Sequence, residues 1–365
     1  MAKKKADETE NEPVELDFNK RMSDEIERDY GAGHLFSGDS VISQKRDVIP
    51  ICPSLDIITS GGILSGSWVS ITGAEKIGKS VAALTIAANA QKPEYGNRVI
   101  VYGDVEHRLT AMHLNGIRGL DTSKKKLIIV QSSKEKIFTS IEWLTIFQLA
   151  LTTIPGCVLV IDSLSVLCDE KIMTNGIGTE TRGGGNRWVT QFVETMAPVV
   201  PINDCVVIGI TRQIANTSGF GAAKVEKVAN AWKYQMDYQL RGIKRTPWKS
   251  GERQIGQVVE WACGCSKLGP PGMRIESYLR YGTGYDRLYE SLYFGMTIQL
   301  IKKAGSWLTF DFLVKNGIVT EANVPKVQGG EAAYRLLIQN PEWAKLLESE
   351  VLKSAGLLAG GSNED

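Results

Sequence analysis

One short segment, TGAEKIGKSV at residues 72–81, constrains the fold more than any other part of the sequence. It contains Gly73, four further residues and then Gly78-Lys79-Ser80, which is the spacing of a phosphate-binding P-loop. Glycines let backbone N–H groups surround an anion, the lysine reaches the β- and γ-phosphates of a nucleotide, and the serine hydroxyl can ligate Mg²⁺. A glycine turn between ordinary elements is the alternative interpretation of the motif alone.

The residues on either side of this segment favour the P-loop. SWVSIT at 67–72 alternates apolar and small polar residues, as a strand does, and SVAALTIAANAQ at 80–91 has apolar residues at helical spacing. A strand, a glycine loop and a helix in this order would bring a phosphate to a helix N-terminus. The sequence therefore predicts a nucleotide site whose contacting residues are Gly73, Ala74, Glu75, Lys76, Ile77, Gly78, Lys79, Ser80 and Val81.

Apolar strands alternate with helices along the middle of the chain. The predicted strands lie at 98–104, 127–133, 157–162 and 205–213, and the predicted helices lie at 140–154 and 187–200. This alternation is typical of an α/β fold with a mostly parallel central sheet that is covered on both faces. Beyond residue 235, strand follows strand, which indicates antiparallel strands at one edge of the sheet.

The same pattern suggests a division of the chain into four parts. We expect a disordered N-terminus with one short helix (1–30), a nucleotide-binding core (31–287), a small helical C-terminal domain (288–355) and a flexible acidic tail (356–365). The short helix, near 21–31, is a candidate for packing on a neighbouring protomer.

Composition limits the classes of function. The net charge of +1 supplies no global basic field, so any nucleic-acid contact must come from a local surface. Six scattered cysteines, three histidines and the lack of a signal peptide or a long apolar run predict reduced thiols, no structural metal and no membrane span. We therefore expect a cytoplasmic protein.

Acidic residues lie at or just after the ends of two predicted strands, 98–104 and 157–162. Asp162 ends the apolar run 157–161, where a carboxylate beside a P-loop can hold Mg²⁺; capping the next helix is the alternative. Glu106, in VYGDVEHRL, is the candidate for orienting or deprotonating the attacking water, and Asp104 is its local competitor. Gln213, at the end of VVIGITRQ, carries an amide that can sense the γ-phosphate.

Two long glycine-rich stretches follow strand ends on the same predicted edge. They span 169–187 and 214–234, and the second carries lysines together with Phe220 and Trp232. Stretches of this length and composition suit a single nucleic-acid strand, through phosphate contacts and base stacking. A lid over the nucleotide is the alternative from composition alone.

These motifs together resemble the RecA family of ATP-dependent homologous recombinases, including phage members of the UvsX type. SLDIITSGGILSGSWVSITGAEKIGKS looks like that family's approach to the P-loop, DVEH is similar to its D-x-E-H element, and LVIDSLSVL is similar to its second phosphate-site strand. The resemblance implies that Glu106 is the catalytic carboxylate, that Asp162 associates with Mg²⁺ beside Ser80, and that Gln213 senses the nucleotide. ATP and Mg²⁺ are the implied cofactors.

The resemblance also implies that the two glycine-rich stretches are DNA-binding loops. The residues that this places on DNA are Arg182, Gly183, Gly184, Gly185, Arg187, Phe220, Lys224 and Lys227.

Several positions depart from the family pattern. Bacterial members usually carry Thr-Thr after the P-loop lysine, whereas this chain has Ser80-Val81. Near the adenine, the expected Asp and Tyr are replaced by Thr110 and His113. Of two nearby lysines with which the family reaches a neighbour's ATP, only Lys267 aligns.

The implied function is a DNA-dependent ATPase that assembles as a helical filament on single-stranded DNA and pairs it with homologous double-stranded DNA. Such a protein would be cytoplasmic, associated with the nucleoid or, for a phage protein, in the host cytoplasm. A ring-forming DNA helicase of the same fold is an alternative, although it would normally carry an arginine finger and a further N-terminal domain. A nucleotide-binding recombination accessory protein is another, although Lys79, Glu106 and Asp162 are all retained. A kinase would not need the two loops.

Overall fold

A computed structural model describes residues 15–167, 184–215 and 224–357. The chain divides into two compact units, and the division follows Arg46. The helices of the described residues are α1 (Glu15–Tyr30), α2 (Gly38–Ile42), α3 (Pro53–Thr59), α4 (Lys79–Ala90), α5 (Ala111–Asn115), α6 (Ser140–Thr153), α7 (Leu164–Leu167), α8 (Gly184–Met196), α9 (Val199–Ile202), α10 (Asn230–Gln235), α11 (Arg287–Thr297), α12 (Asp311–Lys315), α13 (Gly330–Gln339) and α14 (Pro341–Ser354). The strands are β1 (Val48–Ile49), β2 (Ile63–Leu64), β3 (Ser67–Gly73), β4 (Ile100–Asp104), β5 (Leu127–Val130), β6 (Val158–Asp162), β7 (Val206–Ala215), β8 (Lys224–Glu226), β9 (Tyr238–Ser250), β10 (Arg253–Cys265), β11 (Arg274–Arg280), β12 (Gly284–Tyr285), β13 (Lys302–Ala304), β14 (Trp307–Thr309) and β15 (Lys326–Gln328).

The first unit contains the helices α1 and α2. Helix α1 begins at Glu15, ahead of the helix predicted near 21–31, and it includes residues of the stretch that composition predicted to be disordered. Helix α2 begins after Ser37, whose hydroxyl accepts the backbone N–H of Ser40 at 3.1 Å. This side-chain cap satisfies a backbone donor that the helix itself cannot satisfy.

A large sheet dominates the second unit. Among the described residues it contains ten strands in the order β12-β11-β10-β9-β3-β7-β6-β4-β5, with β8 paired to β7. The pairs from β9 to β5 are parallel, and β10, β11 and β12 extend one edge in antiparallel fashion. The predicted α/β class, with a mostly parallel sheet and antiparallel edge strands, is confirmed.

Apolar side chains cover both faces of this sheet. In β6, Val158 and Val160 belong to one core cluster with α4, whereas Leu159 and Ile161 belong to another with α6 and α8. Strand residues alternate between faces, so a strand buried on both faces must be apolar throughout. This explains why β6 has the unbroken apolar sequence that marked it as a central strand.

The C-terminal part of the second unit has an apolar cluster of its own. Phe310, Phe312, Leu337, Leu347 and other side chains from α11 to α14 pack around the three-stranded sheet β13-β14-β15. Buried aromatic and aliphatic side chains of this size supply most of the stability of such a small cluster.

The ends of the two glycine-rich stretches contain regular structure. Residues 184–187 form the start of α8, and 224–226 and 230–235 form β8 and α10. Trp232, one of the two aromatics in the second stretch that we predicted to be a nucleic-acid-binding loop, is fully buried, and its ring packs edge-on against Trp68 with the centroids 5.4 Å apart. The reason is the apolar face of the sheet, which the indole covers.

Within the described ranges, no helix combines the length and the apolar character needed to cross a lipid bilayer.

Candidate functional site

The P-loop connects the C-terminal end of β3 to the N-terminal end of α4. Gly73 and Gly78 both have positive φ angles, 149° and 101°, which favour glycine. A Cβ at Gly73 would also lie 2.8 Å from the carbonyl oxygen of Gly242 on β9. The backbone geometry of the loop therefore requires glycine at these positions.

The ammonium group of Lys79 folds back over the loop. It donates to the carbonyl oxygens of Gly73 and Ala74 at 3.0 and 2.8 Å. Burial lowers the pKa of Lys79, and the positive charge of Arg212 lowers it further, against the opposing effect of Asp162. When a phosphate binds, the Lys79 ammonium group can leave these two carbonyl oxygens and pair with the phosphate.

The carboxylate of Asp162 lies beside the first turn of α4. Its Oδ2 accepts the hydroxyl of Ser80 at 2.7 Å and that of Tyr102 at 2.6 Å. Burial raises the pKa of Asp162, and the two hydroxyl donors partly oppose that shift. The peptide bond between Asp162 and Ser163 is cis. Ser80 and Asp162, the two residues that we predicted to associate with Mg²⁺, are thus in direct contact.

Glu106 follows β4 and reaches the same cavity. Its Oε1 accepts the hydroxyl of Ser163, and its Oε2 pairs with Arg212 and with Nε of Arg108, the latter at 3.1 Å. The Glu106 side chain is only 9% exposed. Both of its oxygens are thus engaged by donors from three segments of the chain.

Asp104, the competitor of Glu106, is turned away from the cavity. Its two oxygens accept the backbone N–H groups of Arg108 and Leu109, both at 2.9 Å, and the amide of Gln131 at 2.7 Å. These bonds shape the turn after β4 and leave Asp104 buried. Of the two carboxylates, the geometry favours Glu106 for chemistry in the cavity.

One cavity of about 590 Å³ brings these groups together. Its lining residues are Gly73, Ala74, Glu75, Lys76, Lys79, Ser80, Tyr102, Glu106, Arg108, Leu109, His113, Asp162, Ser163, Ile210, Arg212 and Gln213. A cleft at the carboxyl ends of parallel strands is where open α/β sheets bind ligands.

Four residues that we predicted to contact nucleotide do not line this cavity. Ile77 packs in the core, and Gly78 and Val81 lie at the start of α4. Thr110 lies directly before α5, and its backbone N–H donates to Nδ1 of His113 at 3.2 Å. His113 itself does line the cavity.

Lys267 lies at the other end of the sheet from its own chain's P-loop. Its Nζ pairs with Oδ1 of Asp237 at 3.1 Å, and Oδ2 of Asp237 accepts the N–H of Trp68 at the start of β3. Lys267 is therefore not brought to the cavity of its own chain.

The residues predicted to bind DNA are only partly within the described chain. Arg182, Gly183 and Phe220 lie outside the described residues. The rest, Gly184, Gly185, Arg187, Lys224 and Lys227, lie in α8, in β8 and directly after β8.

Strand β7 connects the second glycine-rich stretch, 214–234, to the cavity through hydrogen bonds. The N–H of Lys227 donates to the carbonyl oxygen of Arg212 at 3.0 Å, and Ser165 bridges the same two residues through its hydroxyl. Arg212, which lines the cavity, is thus hydrogen-bonded to Lys227 of this stretch both directly and through Ser165.

The cavity residues that the sequence prediction missed include three whose polar side chains contact Glu106 or Asp162. Arg212 and Arg108 pair with Glu106, and Tyr102 donates to Asp162. A signal for Arg212 was present, because an arginine that ends an apolar strand directly before Gln213 must lie at the edge where ligands bind.

The fold and the cavity define a P-loop NTPase of the α/β class. A sequence model of the RecA N-terminal domain matches residues 18–286. The chain is 29% identical to the protein RecA of Thermotoga neapolitana over 338 residues, which cover 91% of each chain. It is 26% identical to that of a Nitratiruptor species (94% of this chain, 96% of the relative) and 27% identical to that of Geobacter metallireducens (93% and 95%). The chain belongs to the RecA family, which confirms the resemblance found in the sequence.

Proposed function

We propose that this protein is a DNA-dependent ATPase that forms filaments on single-stranded DNA and catalyses homologous pairing and strand exchange. The observation that carries the proposal is the meeting of Lys79, Glu106 and Asp162 in one cavity, in a chain of the RecA family. A protein that had kept the fold but lost ATP hydrolysis would have little reason to keep all three groups together.

In this proposal the P-loop backbone and Lys79 bind the phosphates of ATP. Glu106 orients the attacking water and accepts its proton, since it is a carboxylate at the phosphate end of the cavity. Gln213 also lines the cavity and transmits the state of the nucleotide to the stretch that follows β7. His113 also lines the cavity and takes part in binding the base.

The residues around Asp162 fit a magnesium ion. Mg²⁺ is usually held by one or two carboxylates together with phosphate oxygens and water, and Asp162 with the hydroxyl of Ser80 offers such oxygen ligands. Among the described residues, no cluster of three or more His, Cys, Asp or Glu side chains could hold a metal by itself. When bound, Mg²⁺ would neutralise charge on the phosphate oxygens.

Filament assembly would bring Lys267 of one protomer to the ATP of the next. The distance of Lys267 from its own P-loop, at the opposite end of β3, supports a role between protomers. In this proposal the DNA lies along 169–187 and 214–234, held by phosphate contacts, and its affinity falls steeply with salt. Base pairing supplies the sequence recognition.

The domain division is part of the same proposal. We assign 31–287 to the ATPase core and 288–355 to a small C-terminal domain, a boundary supported by the separate apolar cluster around β13-β14-β15. The segments at 1–30 and 356–365 would serve as a protomer-packing arm and an acidic tail.

A pairing assay tests the proposal. A labelled single strand is mixed with homologous or unrelated duplex DNA in the presence of ATP, with Lys79→Ala as the matched inactive variant. We expect joint molecules only with homologous duplex and only with intact Lys79. Unwinding of a forked duplex without joint molecules would favour the ring helicase, and neither activity would favour an accessory protein.

A further inference from the structure

Arg212 stands at the point where β7 enters the cavity. In the sheet it is the register partner of Gly73, the first glycine of the P-loop. Its guanidinium contacts the Glu106 carboxylate, and 45% of its side chain is exposed, compared with 9% for Glu106. The cation is therefore accessible from the cavity, while its partner is enclosed.

Positive charges converge on the space in front of the P-loop. Arg212 and Lys79 both line this cavity. Two cations facing one cavity repel each other, and an anion bound between them offsets that repulsion. A triphosphate is the anion that the P-loop is built to accept.

Both oxygens of Glu106 are engaged by neighbouring side chains in this arrangement. Oε1 is used by Ser163, and Oε2 is shared by Arg212 and Arg108. A general base needs a lone pair within hydrogen-bonding reach of the water that it deprotonates. Release of Arg212 would free an acceptor position on Oε2, the oxygen that two cations share.

We propose that Arg212 is a catalytic residue of the same chain's ATP site, which leaves Glu106 for the terminal phosphate when ATP binds. The water oxygen then forms a bond to the γ-phosphorus while the bond to the bridging oxygen breaks. The bonding electron pair departs on ADP, and the proton of the water passes to the Glu106 carboxylate. Arg212 stabilises the charge on the transferred phosphoryl group, as an arginine supplied in cis can do.

This inference rests on the proposed ATPase function but does not depend on Lys267. We infer that the site is inactive while Arg212 is paired with Glu106. In that state Arg212 is held by Glu106, and its guanidinium can contact a terminal phosphate only after the pair has separated. The backbone carbonyl of Arg212 also accepts the N–H of Lys227, which lies in the second glycine-rich stretch.

The test compares Arg212→Ala and Arg212→Lys with the unmodified protein. Single-turnover ATP hydrolysis with single-stranded DNA is expected to fall about 10²- to 10³-fold in Arg212→Ala, with Arg212→Lys between the two. Affinities for ADP and for the non-hydrolysable triphosphate AMP-PNP are measured in the same proteins. We expect ADP affinity to be kept and the preference for AMP-PNP over ADP to fall about tenfold.

Arg335→Ala is the matched control, because Arg335 is an exposed arginine on α13 whose partner is Glu331. Hydrolysis within about threefold of the unmodified rate in Arg212→Ala would overturn the inference. A loss of hydrolysis with the AMP-PNP preference unchanged would also overturn it, since Arg212 would then only position Glu106.

Retained ADP affinity also verifies that the variants are folded. If the unmodified protein hydrolyses no ATP with or without DNA, the proposed function fails. The AMP-PNP preference alone then decides whether Arg212 contacts the terminal phosphate.

Discussion

The hydroxyl of Ser80 donates to Oδ2 of Asp162 at 2.7 Å, so the first turn of α4 and the end of β6 meet at one carboxylate oxygen. Tyr102 donates to the same oxygen from β4. Three elements far apart in sequence thus converge on the side chain that we propose as the magnesium-associated carboxylate.

The first prediction concerns this carboxylate. Asp162→Asn keeps the shape of the side chain but removes its charge, so the Mg²⁺ concentration that half-saturates ATP binding should rise about 10- to 100-fold. Titration of a fluorescent ATP analogue at a series of Mg²⁺ concentrations measures this. Asp311→Asn, which alters a carboxylate paired with Lys302, is the control. An unchanged Mg²⁺ dependence in Asp162→Asn would contradict the assignment.

The second prediction concerns the pH dependence of stability. Burial raises the pKa of Asp56 to about 8, and the charge of Arg287 opposes the shift. Its Oδ1 accepts the N–H of Ile51 at 2.6 Å, while Oδ2 has no hydrogen-bond donor among the described residues. The folded protein therefore keeps a proton that the unfolded chain loses near pH 4.

It follows that the contribution of Asp56 to stability is fully present below about pH 4 and is lost as the pH rises through 8, by at most about 1.4 kcal/mol per pH unit. Urea unfolding between pH 5 and pH 8 measures the free energy of unfolding of the unmodified protein and of Asp56→Asn. We expect the difference between the two to shift against the unmodified protein as the pH rises. A constant difference would show that Asp56 is already ionised in the folded state.

The third prediction concerns a buried arginine. The side chain of Arg98 is only 3% exposed, and it donates to the carbonyl oxygens of Tyr95, Gly156 and Asp204 and pairs with the carboxylates of Asp47 and Asp204. Arg98→Met leaves these carbonyl oxygens without a donor, so we expect a loss of about 2–4 kcal/mol in the free energy of unfolding.

Chemical unfolding measures that loss, with Arg335→Met as the comparison. Because Arg335 is exposed and paired only within its helix, its replacement should cost about 0.5 kcal/mol or less. Equal losses in the two variants would mean that the bonds of Arg98 do not contribute to stability.

The fourth prediction concerns Lys267. If it serves the ATP of a neighbouring protomer, Lys267→Ala and Glu106→Gln should each be inactive alone, yet a mixture of the two should recover part of the activity. In the mixture, some sites combine an intact Glu106 with an intact Lys267 from the adjacent chain. ATPase assays of the mixture and of each variant make the comparison, and a mixture as inactive as its components would exclude this role.

The sequence alone predicted the parts of the candidate site whose residues lie within one continuous segment. The P-loop, with its strand and helix, occupies one continuous segment, so the backbone demands of Gly73 and Gly78 are visible in the residue types. Asp162 was visible for a similar reason, since it ends an unbroken apolar strand.

Contacts between distant segments could not be predicted in this way. Arg212 and Glu106 are 106 positions apart, and their meeting depends on β6 lying between β7 and β4 in the sheet. Trp232 lies in a stretch whose composition resembles a loop, but its indole ring fills the space above Gly209, where a Cβ would come within 2.3 Å of the ring. Such packing follows from the order of strands, which local composition does not determine.

The most direct test of the account is the rate of ATP hydrolysis with and without single-stranded DNA, for the unmodified protein and for Glu106→Gln. We predict strong stimulation by DNA, and its loss in Glu106→Gln by at least about 10²-fold while ATP-dependent DNA binding is kept. Hydrolysis that is indifferent to DNA, or that survives the loss of the Glu106 carboxylate, would contradict the account.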